Sequence, residues 1–452
     1  MLNNMQLLAE RKSLFENCLK VGTPDDLLAI EEEIAHSIRR CERALKGGKN
    51  NKSLQFHIER LRLYADGFVW RLLHPHTIRQ LAENRGPPVS IKDQGEAFDE
   101  VLKSAQHYLQ KYKVPILVAD ITNVIRIGDL VLCTNPEVPQ IVECKTTLPP
   151  PELFMQGRFG RQISRMMGTL KYLSKGSAKV FGDNQHRLAI ESPHTSKYNW
   201  QPVSMVCDTA MKDGRAFLQL SAYEFLWAYN QQGEDSIWAE IHEYGNRITQ
   251  AFFGTSLGLM NMSDGLFPPP TVWPIPPTLR FLLMEKDIVL AHMIDAAAFE
   301  CDLGGGQRIE VCPTEDFPIR VIIEEKEYPL SRHFINDVLY GFETIASCVQ
   351  GLIEFARELH EMAPVNTNNV LPGKPRIHYL ESIEDAHELA ASKAVNNEKD
   401  FVVMTFELFE QLKNNTVQSE RSPLDIAKKD IVRKQAYPTM SLDMLKKLMR
   451  NE

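Results

Sequence analysis

The chain has 452 residues, which at roughly 100 to 200 residues per domain is too long for one hydrophobic core and predicts about three domains. Hydrophobic residues make up 43% of the chain and charged residues 24%, which excludes an intrinsically disordered protein. The net charge of −8 excludes a uniformly basic nucleic-acid coat, although a local basic surface can still bind phosphate on an acidic chain.

The cysteines and the N-terminal sequence indicate the compartment. The eight cysteines are scattered and form no Cys-X-X-Cys pair, which is typical of reduced thiols. The N-terminus shows no basic segment followed by an apolar block, and no apolar stretch approaches the roughly 18 residues of a membrane span. We therefore expect a cytoplasmic protein that does not associate with a membrane.

Residues 1–85 have the pattern of helices, and we predict that they form a helical arm. Thr23-Pro24-Asp25-Asp26 combines a capping residue, a proline suited to the first turn and two acids that favour a helix N-terminus. The pair Gly47-Gly48 ends this helix, and a second helical pattern starts at Ser53. The first helix has an apolar stripe of Leu27, Ile30, Ile34, Ile38, Cys41 and Leu45.

Two interpretations of this helical arm are open. The apolar stripe either binds a partner protein or a second copy of the chain, or it packs as a layer on the rest of its own chain. Periodicity alone does not distinguish them. The first interpretation predicts a homo-oligomer or a bound partner protein.

Residues 86–265, which follow the break at Arg85-Gly86-Pro87-Pro88, have a mixed pattern. Residues 94–112 and 152–175 predict helices, and the runs ILVADITNVIRIGDLVLC and PQIVECKTT predict strands around a turn at residues 134–137. LAIES and VSMVCDT predict further strands, and AYEFLWAY predicts a helix. This order of elements is typical of an α/β sandwich.

Residues 266–452 begin with a proline-dense segment, from Phe267 to Pro277. TLRFLLM, DIVLAHMI and the run from Ile319 to Glu325 predict strands, and residues from about 336 to 362 predict a long helix. We expect an α+β region here, with no role assigned to it.

Two acids and a lysine are predicted to meet on the hairpin of the middle region. If Pro136 lies near the middle of the turn, antiparallel register places Asp129 opposite Glu143, on the same face. Lys145 shares that face because side chains alternate along a strand, whereas Val142 and Cys144 turn into the core. Adjacent carboxylates repel unless a cation neutralises them, and their oxygens suit Mg²⁺ or Mn²⁺. Such a metal activates water, and Lys145 could orient that water or stabilise developing charge.

These residues resemble the PD-(D/E)XK nuclease superfamily. The matching pattern is Gly128-Asp129, thirteen intervening residues and Glu143-Cys144-Lys145 at the end of a strand. The helix start Gly95-X-X-Phe98-Asp99 is similar to the Gly-X-X-Phe-Glu of some restriction-type members. The resemblance covers about residues 90 to 250 and says nothing about either flank.

The resemblance implies a restriction-endonuclease-like mixed sheet flanked by helices and a Mg²⁺-dependent (endo)deoxyribonuclease. It implies Asp129, Glu143 and Lys145 as catalytic residues. It also implies Asp129, Glu143 and Asp99 as metal ligands, with Glu100 and Glu96 as alternatives to Asp99.

A basic ridge follows the acidic pattern. Arg158, Arg161 and Arg165 are spaced three and four apart and therefore share one face of the predicted helix, which Lys171 and Lys175 extend. We predict that these arginines contact the phosphates of a nucleic acid. Gln162 lies on the same helix, where related nucleases often have a glutamine.

Each of these assignments has a structural alternative. Asp99 and Glu100 could be solvated first-turn acids that the helix dipole favours. The Asp129, Glu143 and Lys145 set could form a surface salt bridge on an edge hairpin, and the arginines could form a solvated face.

Three further motifs receive structural interpretations. His74-Pro75-His76 lacks the neighbouring ligands of a zinc site and predicts a helix end, and residues 304–306 lack the lysine of a P-loop and predict a turn. Tyr198 and Trp200 could stack on bases, but we expect them to plug the edge of a core.

The favoured function is that of a DNA-cleaving nuclease, in an architecture similar to the nucleases joined to sensor domains in restriction and anti-phage defence systems. The alternative is a non-catalytic scaffold that keeps the nuclease fold for binding within a larger complex. The presence of all three converging side chains favours the enzyme.

Overall fold

The computed structural model of the chain describes residues 3–45, 51–82, 88–145, 157–175, 177–179, 186–188, 196–230, 234–245, 247–248, 250–257, 267–304, 306–311, 318–323, 325–330, 333–362 and 402–404. These residues form a mixed α/β protein with small antiparallel sheets. They divide into two compact units, one containing the described residues up to 188 with 402–404, the other those from 196 to 362. Each pair of strands described in the first unit is antiparallel, so the mixed sheet that the resemblance implies is not seen in the described residues. Within these ranges, no helix is long and apolar enough to cross a membrane.

The first unit begins with the predicted helices, which are α1 (Asn4–Lys20), α2 (Pro24–Leu45), α3 (Lys52–Leu72) and α4 (Pro75–Leu81). The predicted start of α2 is confirmed, because the Asp26 amide donates to Thr23 Oγ1 at 3.1 Å and the Thr23 amide donates to Asp26 Oδ2 at 3.0 Å. This reciprocal pair satisfies two amides that the helix leaves unpaired. The predicted Gly47-Gly48 stop lies outside the described residues.

The apolar stripe of α2 packs inside its own chain. Leu27, Ile34, Ile38 and Cys41 are each 0% exposed, and α2 packs against α1, α3, α6 (Glu96–Tyr112) and β1 (Ile116–Val118). Of the two interpretations of the arm, the structure bears out packing on its own chain. The stripe therefore gives no support to an oligomer or a bound partner.

A three-stranded meander forms the centre of this unit. After the short helix α5 (Ile91–Gln94) and α6, strand β1 pairs antiparallel with β2 (Leu130–Leu132), and β2 pairs antiparallel with β3 (Gln140–Lys145). Helix α6 packs against β1 and β3, and α7 (Gly157–Lys175) follows the meander. These elements confirm the predicted order of helix, strands and helix.

Strands β4 (Ser177–Lys179) and β5 (His186–Leu188) form a separate antiparallel pair. The predicted strand LAIES has only its first residue in β5, and its other residues lie outside the described ranges.

The second unit contains two four-stranded antiparallel sheets with helices. Strands β6 (Arg215–Ser221), β7 (Glu224–Tyr229), β8 (Ala251–Thr255) and β9 (Val289–Asp295) form the first, in the order β6-β7-β9-β8. Strands β10 (Cys301–Gly304), β11 (Gln307–Val311), β12 (Ile319–Ile323) and β13 (Lys326–Leu330) form the second, in sequence order. The helices are α8 (Trp200–Asp213), α9 (Glu234–Gly245), α10 (Pro277–Glu285), α11 (His333–Gly341) and α12 (Ile345–Met362). The strands predicted for DIVLAHMI and for the run from Ile319 are confirmed.

Two strand predictions in this unit are wrong, because short apolar runs fit a helix as well as a strand. VSMVCDT lies in α8, where Val203, Val206, Cys207 and Ala210 are buried at helical spacing. TLRFLLM lies in α10, which starts at Pro277 and buries Leu279 and Leu283 one turn apart.

The helix predicted for AYEFLWAY is also wrong. This segment is β7, in which every residue is buried, so its apolar run lacks the alternation of a half-exposed strand. The predicted long helix is two helices, α11 and α12, and Phe342 between them has a φ of +56°, which is incompatible with a continuous helix.

The last described strand, β14 (Val402–Met404), pairs antiparallel with β3 and gives the first unit the sheet order β1-β2-β3-β14. Strand β3 therefore has a neighbour on each side. The first unit also unites helices α1–α4 with this sheet, whereas the sequence led us to expect separate domains.

Candidate active site

The hairpin of β2 and β3 has the predicted register. Leu130 pairs with Val142, and Leu132 pairs with Gln140, so the pairing is centred on Pro136. The regular pairing of β2 and β3 ends at Leu130 and Val142, and the Asp129 amide also donates to the Val142 carbonyl, so the register is irregular at Asp129. The predicted placement of Asp129 directly opposite Glu143 therefore stays a prediction.

Gly128 allows the chain to enter β2 beside β3. Its φ is +76°, and a Cβ atom built there would lie 2.4 Å from Ile141 Cγ2 and 3.0 Å from the carbonyl oxygen of Val142. Only glycine adopts this conformation without strain at such a close approach. The next amide, that of Asp129, donates to the Val142 carbonyl at 2.8 Å.

The Asp129 side chain is bound to β3. It is partly exposed, and its Oδ2 accepts a hydrogen bond from the backbone amide of Cys144 at 2.6 Å. Hydrogen bonds from backbone amides favour the ionised form of a carboxylate. The Asp129 carboxylate therefore lies beside the main chain of the residue that follows Glu143.

Glu143 is buried, with 2% of its surface exposed, and it pairs with Met404 of β14. Val142 and Cys144 are buried as predicted, so both faces of β3 are covered here. This differs from the half-exposed surface that we expected. Because Glu143 is buried and β3 is not an edge strand, a surface salt bridge on an edge hairpin does not describe this residue.

Lys145 is the last residue of β3 and pairs with Val402. Its position two residues after Glu143 is that of the predicted motif. Its side chain lies outside the part of the chain that the structure describes.

Asp99, the predicted helical ligand, lies in the first turn of α6 and is ion-paired. Arg39 of α2 donates to both Asp99 carboxylate oxygens, at 2.5 and 3.3 Å, and to the Gly95 carbonyl at 2.9 Å. The Asp99 side chain is 46% exposed. Of its alternatives, Glu100 accepts from Lys103 at 2.8 Å, and Glu96 is exposed.

The basic ridge lies on α7. Arg161 and Arg165 are exposed there, while the side chains of Arg158, Lys171 and Lys175 lie outside the described part. Gln162 is partly buried. Exposure of two arginines is compatible with phosphate contact and with a solvated face.

Sequence reasoning missed a group of buried charged residues in the helices that support this hairpin. Arg62 and Asp66 of α3 are 4% and 1% exposed, and Glu31 of α2 is 0% exposed. Burial raises the pKa of Asp66 to about 6 and the pKa of Glu31 well above its ordinary value. The signal was available, because Ile58, Arg62 and Asp66 follow one another at intervals of four residues and therefore share one helical face.

A serine, a histidine and a glutamate meet in the helices, but their hydrogen bonds run in the wrong direction for a nucleophile. His57 Nδ1 lies 3.4 Å from Arg11 Nη1, and His57 Nε2 lies 3.1 Å from Ser37 Oγ. Ser37 in turn donates to Glu10 at 2.7 Å. An activated serine would instead donate to the histidine.

The motifs that were given structural interpretations have structural roles, except that Tyr198 is 52% exposed and does not plug the edge of a core. His74 caps α4 by accepting from the His76 amide, and burial lowers the pKa of His76 to about 4. Gly304 and Gly306 have φ values of +75° and +78°, typical of a turn. Trp200 packs against Trp273 and Phe342, at the edge of a core.

Within the described ranges, no three His, Cys, Asp or Glu side chains are arranged to hold a metal ion. Asp129 and Glu143 supply two carboxylates. Mg²⁺ commonly takes one or two protein carboxylates and completes its coordination with water and substrate phosphate. Two such acids are therefore chemically sufficient for a Mg²⁺ or Mn²⁺ site.

Comparisons with known proteins assign no family to this chain. No protein-family model matches it, and neither a curated protein nor a solved structure matches it. A function for the chain therefore rests on its own residues and geometry.

Proposed function

We propose that this chain is a metal-dependent nuclease of the PD-(D/E)XK type that hydrolyses phosphodiester bonds, with DNA as the favoured substrate. The observation that carries the proposal is the placement of two carboxylates on one hairpin. The Asp129 carboxylate accepts a hydrogen bond from the Cys144 amide at 2.6 Å, and Cys144 follows the buried Glu143 in the chain. Burying one acid next to another is costly, and a divalent cation offsets that cost.

The order of elements supports this proposal. Helix α6, the meander of β1 to β3 and α7 follow one another as the resemblance to restriction-type nucleases implies. Helix α6 packs against β3, so the helix with the third proposed acid, Asp99, adjoins the strand with Glu143.

Each residue has a distinct role in the proposed reaction. Asp129 and Glu143 would hold Mg²⁺ or Mn²⁺, which when bound lowers the pKa of a water molecule and shields phosphate charge. Lys145 would orient the attacking water or stabilise the charge that develops on the phosphate. Arg161 and Arg165 would bind the substrate backbone.

The test is an incubation of the purified full chain with plasmid DNA, linear DNA and RNA, each with Mg²⁺, Mn²⁺ or EDTA. We expect metal-dependent cleavage that Asp129→Asn and Glu143→Gln abolish. Lys145→Ala should keep metal binding and lose about a hundredfold or more in rate. Asp208→Asn, which changes an exposed acid of α8, is the matched control and should cleave as the unmodified chain does.

The second candidate function is that of a non-catalytic scaffold, which keeps the nuclease fold to bind nucleic acid within a larger complex. One observation favours it, because Arg39 already neutralises Asp99. A chain that binds nucleic acid equally well with and without Glu143→Gln, and cleaves none of the three substrates with either metal, would favour the scaffold.

A Glu143→Gln variant that cleaves as fast as the unmodified chain, in preparations free of contaminating nuclease, would contradict the proposed site. Circular dichroism and melting curves of each variant would establish that it is folded.

A further inference from the structure

Arg62 reaches from α3 to the chain segment that supports the candidate active site. It is 4% exposed, and its guanidinium donates to the carbonyls of Asp120 at 2.6 Å, Val89 at 3.0 Å and Thr122 at 3.5 Å. Its Nη2 also lies 3.5 Å from Glu42 Oε1, which balances the buried charge. A planar guanidinium with five donors holds several carbonyls in one fixed arrangement.

The turn that Arg62 holds is hydrogen-bonded directly to Asp129. It is a 3-10 turn of Ala119–Ile121, and the Ala119 amide donates to the Asp129 carbonyl at 2.9 Å. The Thr122 amide and hydroxyl both donate to the Ala119 carbonyl, at 3.0 and 2.8 Å. A shift of this turn would therefore move the main chain of Asp129.

Two more buried acids hold the ends of the same segment. Glu31 of α2 accepts from the Val118 amide at 3.3 and 3.4 Å. Asp66 of α3 accepts from the Asn123 amide at 2.7 Å and from the Asn123 side chain at 2.8 Å. Residues 118–123 are thus fixed by three charged side chains of the N-terminal helices.

We propose that Arg62 is a positioning residue of the candidate active site. It fixes the turn of residues 119–121 so that Asp129 presents its carboxylate beside Glu143. This inference rests on the proposed function for its catalytic meaning, and it assigns helix α3 to the support of the site.

The test compares Arg62→Lys with Arg71→Lys in the full chain. Lysine keeps the charge near Glu42, but its single compact ammonium group lacks the planar fork that binds the Asp120 and Val89 carbonyls through two different nitrogens. Arg71 lies on the same helix and is 8% exposed, but it donates to the Cys18 carbonyl of α1 at 3.4 Å. Arg71→Lys therefore reproduces the loss of a buried guanidinium away from Asp129.

We expect two changes in Arg62→Lys that Arg71→Lys does not show. The Cys144 amide should exchange its hydrogen faster under native conditions, because it donates to the Asp129 carboxylate. Affinity for Mn²⁺ alone should fall about tenfold, as expected for the loss of a supporting contact behind a metal ligand.

Unchanged exchange at Cys144 in Arg62→Lys, or equal acceleration in both variants, would overturn the proposal. If Arg62→Lys does not fold, Thr122→Val replaces it. Valine keeps the shape of the buried threonine but removes the hydroxyl, which donates to the Ala119 carbonyl and accepts from the Ile125 amide. This variant should accelerate exchange at Cys144 in the same direction, and an unchanged rate would overturn the proposal. If the unmodified chain binds no Mn²⁺, the proposed function is wrong. The exchange rate of the Cys144 amide still tests whether Arg62 positions Asp129.

Discussion

At the scale of single residues, Gly128 and Asp129 show why the acidic motif begins with glycine. The chain must turn with positive φ beside β3 before Asp129 can bind the Cys144 amide. An added Cβ at position 128 would meet both a side chain and the backbone of β3. The glycine therefore serves the placement of the acid that follows it.

We predict that Gly128→Ala destabilises the first unit more than Gly95→Ala does. Both glycines have positive φ, but a Cβ at Gly95 meets nothing within 4 Å, whereas one at Gly128 lies 2.4 Å from Ile141. The extra cost of the overlap should be about 1 to 3 kcal/mol in the free energy of unfolding, measured by urea denaturation. Equal losses in the two variants would show that β3 accommodates the methyl group.

Asp66 and His57 both lie on α3, and their contributions to the free energy of unfolding change with pH in opposite directions. Burial raises the Asp66 pKa from 3.8 to about 6, so between these values the folded state keeps a proton that the unfolded state loses. This contribution to stability falls as pH rises. Burial lowers the His57 pKa from 6.5 to about 4, so the unfolded state holds the extra proton there and this contribution rises with pH.

Asp66→Asn should therefore make the stability of the first unit rise more steeply between pH 4 and 6. The slope should increase by up to about 1.4 kcal/mol per pH unit, the value for one proton. Urea denaturation at three pH values in this range measures it, with the exposed Asp208→Asn as the control. Parallel curves for Asp66→Asn and the unmodified chain would contradict a raised Asp66 pKa.

At the scale of elements, the sequence predicted the helices and the hairpin of the first unit better than the strands of the second. The α2 stripe and its Thr23 cap are local signals, and the hairpin register follows from the position of Pro136. The segments now seen as α8, β7 and α10 are short apolar runs whose structure depends on what buries them. The pairing of Glu143 with β14 was also unpredictable from the hairpin alone, because β14 is distant in sequence.

Helix α7 offers the element-scale test of nucleic-acid binding. Arg161→Glu with Arg165→Glu should weaken DNA binding and reduce the dependence of log affinity on log salt by a slope of about two. Arg215→Glu with Arg247→Glu changes two exposed arginines of the second unit by the same charge and should leave the slope unchanged. If both double variants change DNA affinity and salt slope equally, the α7 arginines act only through the net charge of the chain.

At the scale of the whole molecule, the N-terminal helices and the acidic hairpin form one compact unit. Periodicity revealed the apolar stripe of α2 but not what covers it. Glu31 of α2 and Arg62 and Asp66 of α3 connect these helices to the sheet, because their side chains bind the main chain of residues 118–123. The motif of Asp129 and Glu143 can be recognised from local sequence, whereas the contacts of Arg62 depend on a fold that brings distant segments together.

The proposed function depends on a divalent-metal site that Asp129 and Glu143 share. Titration of the full chain with Mn²⁺ in a calorimeter measures this site, with Asp129→Asn and Glu143→Gln compared against Asp208→Asn. We expect a saturable site in the unmodified chain and in the control, and a large loss of affinity in either site variant, because each removes an anionic oxygen ligand. Mn²⁺ binding of equal affinity in all four proteins would contradict the proposed site.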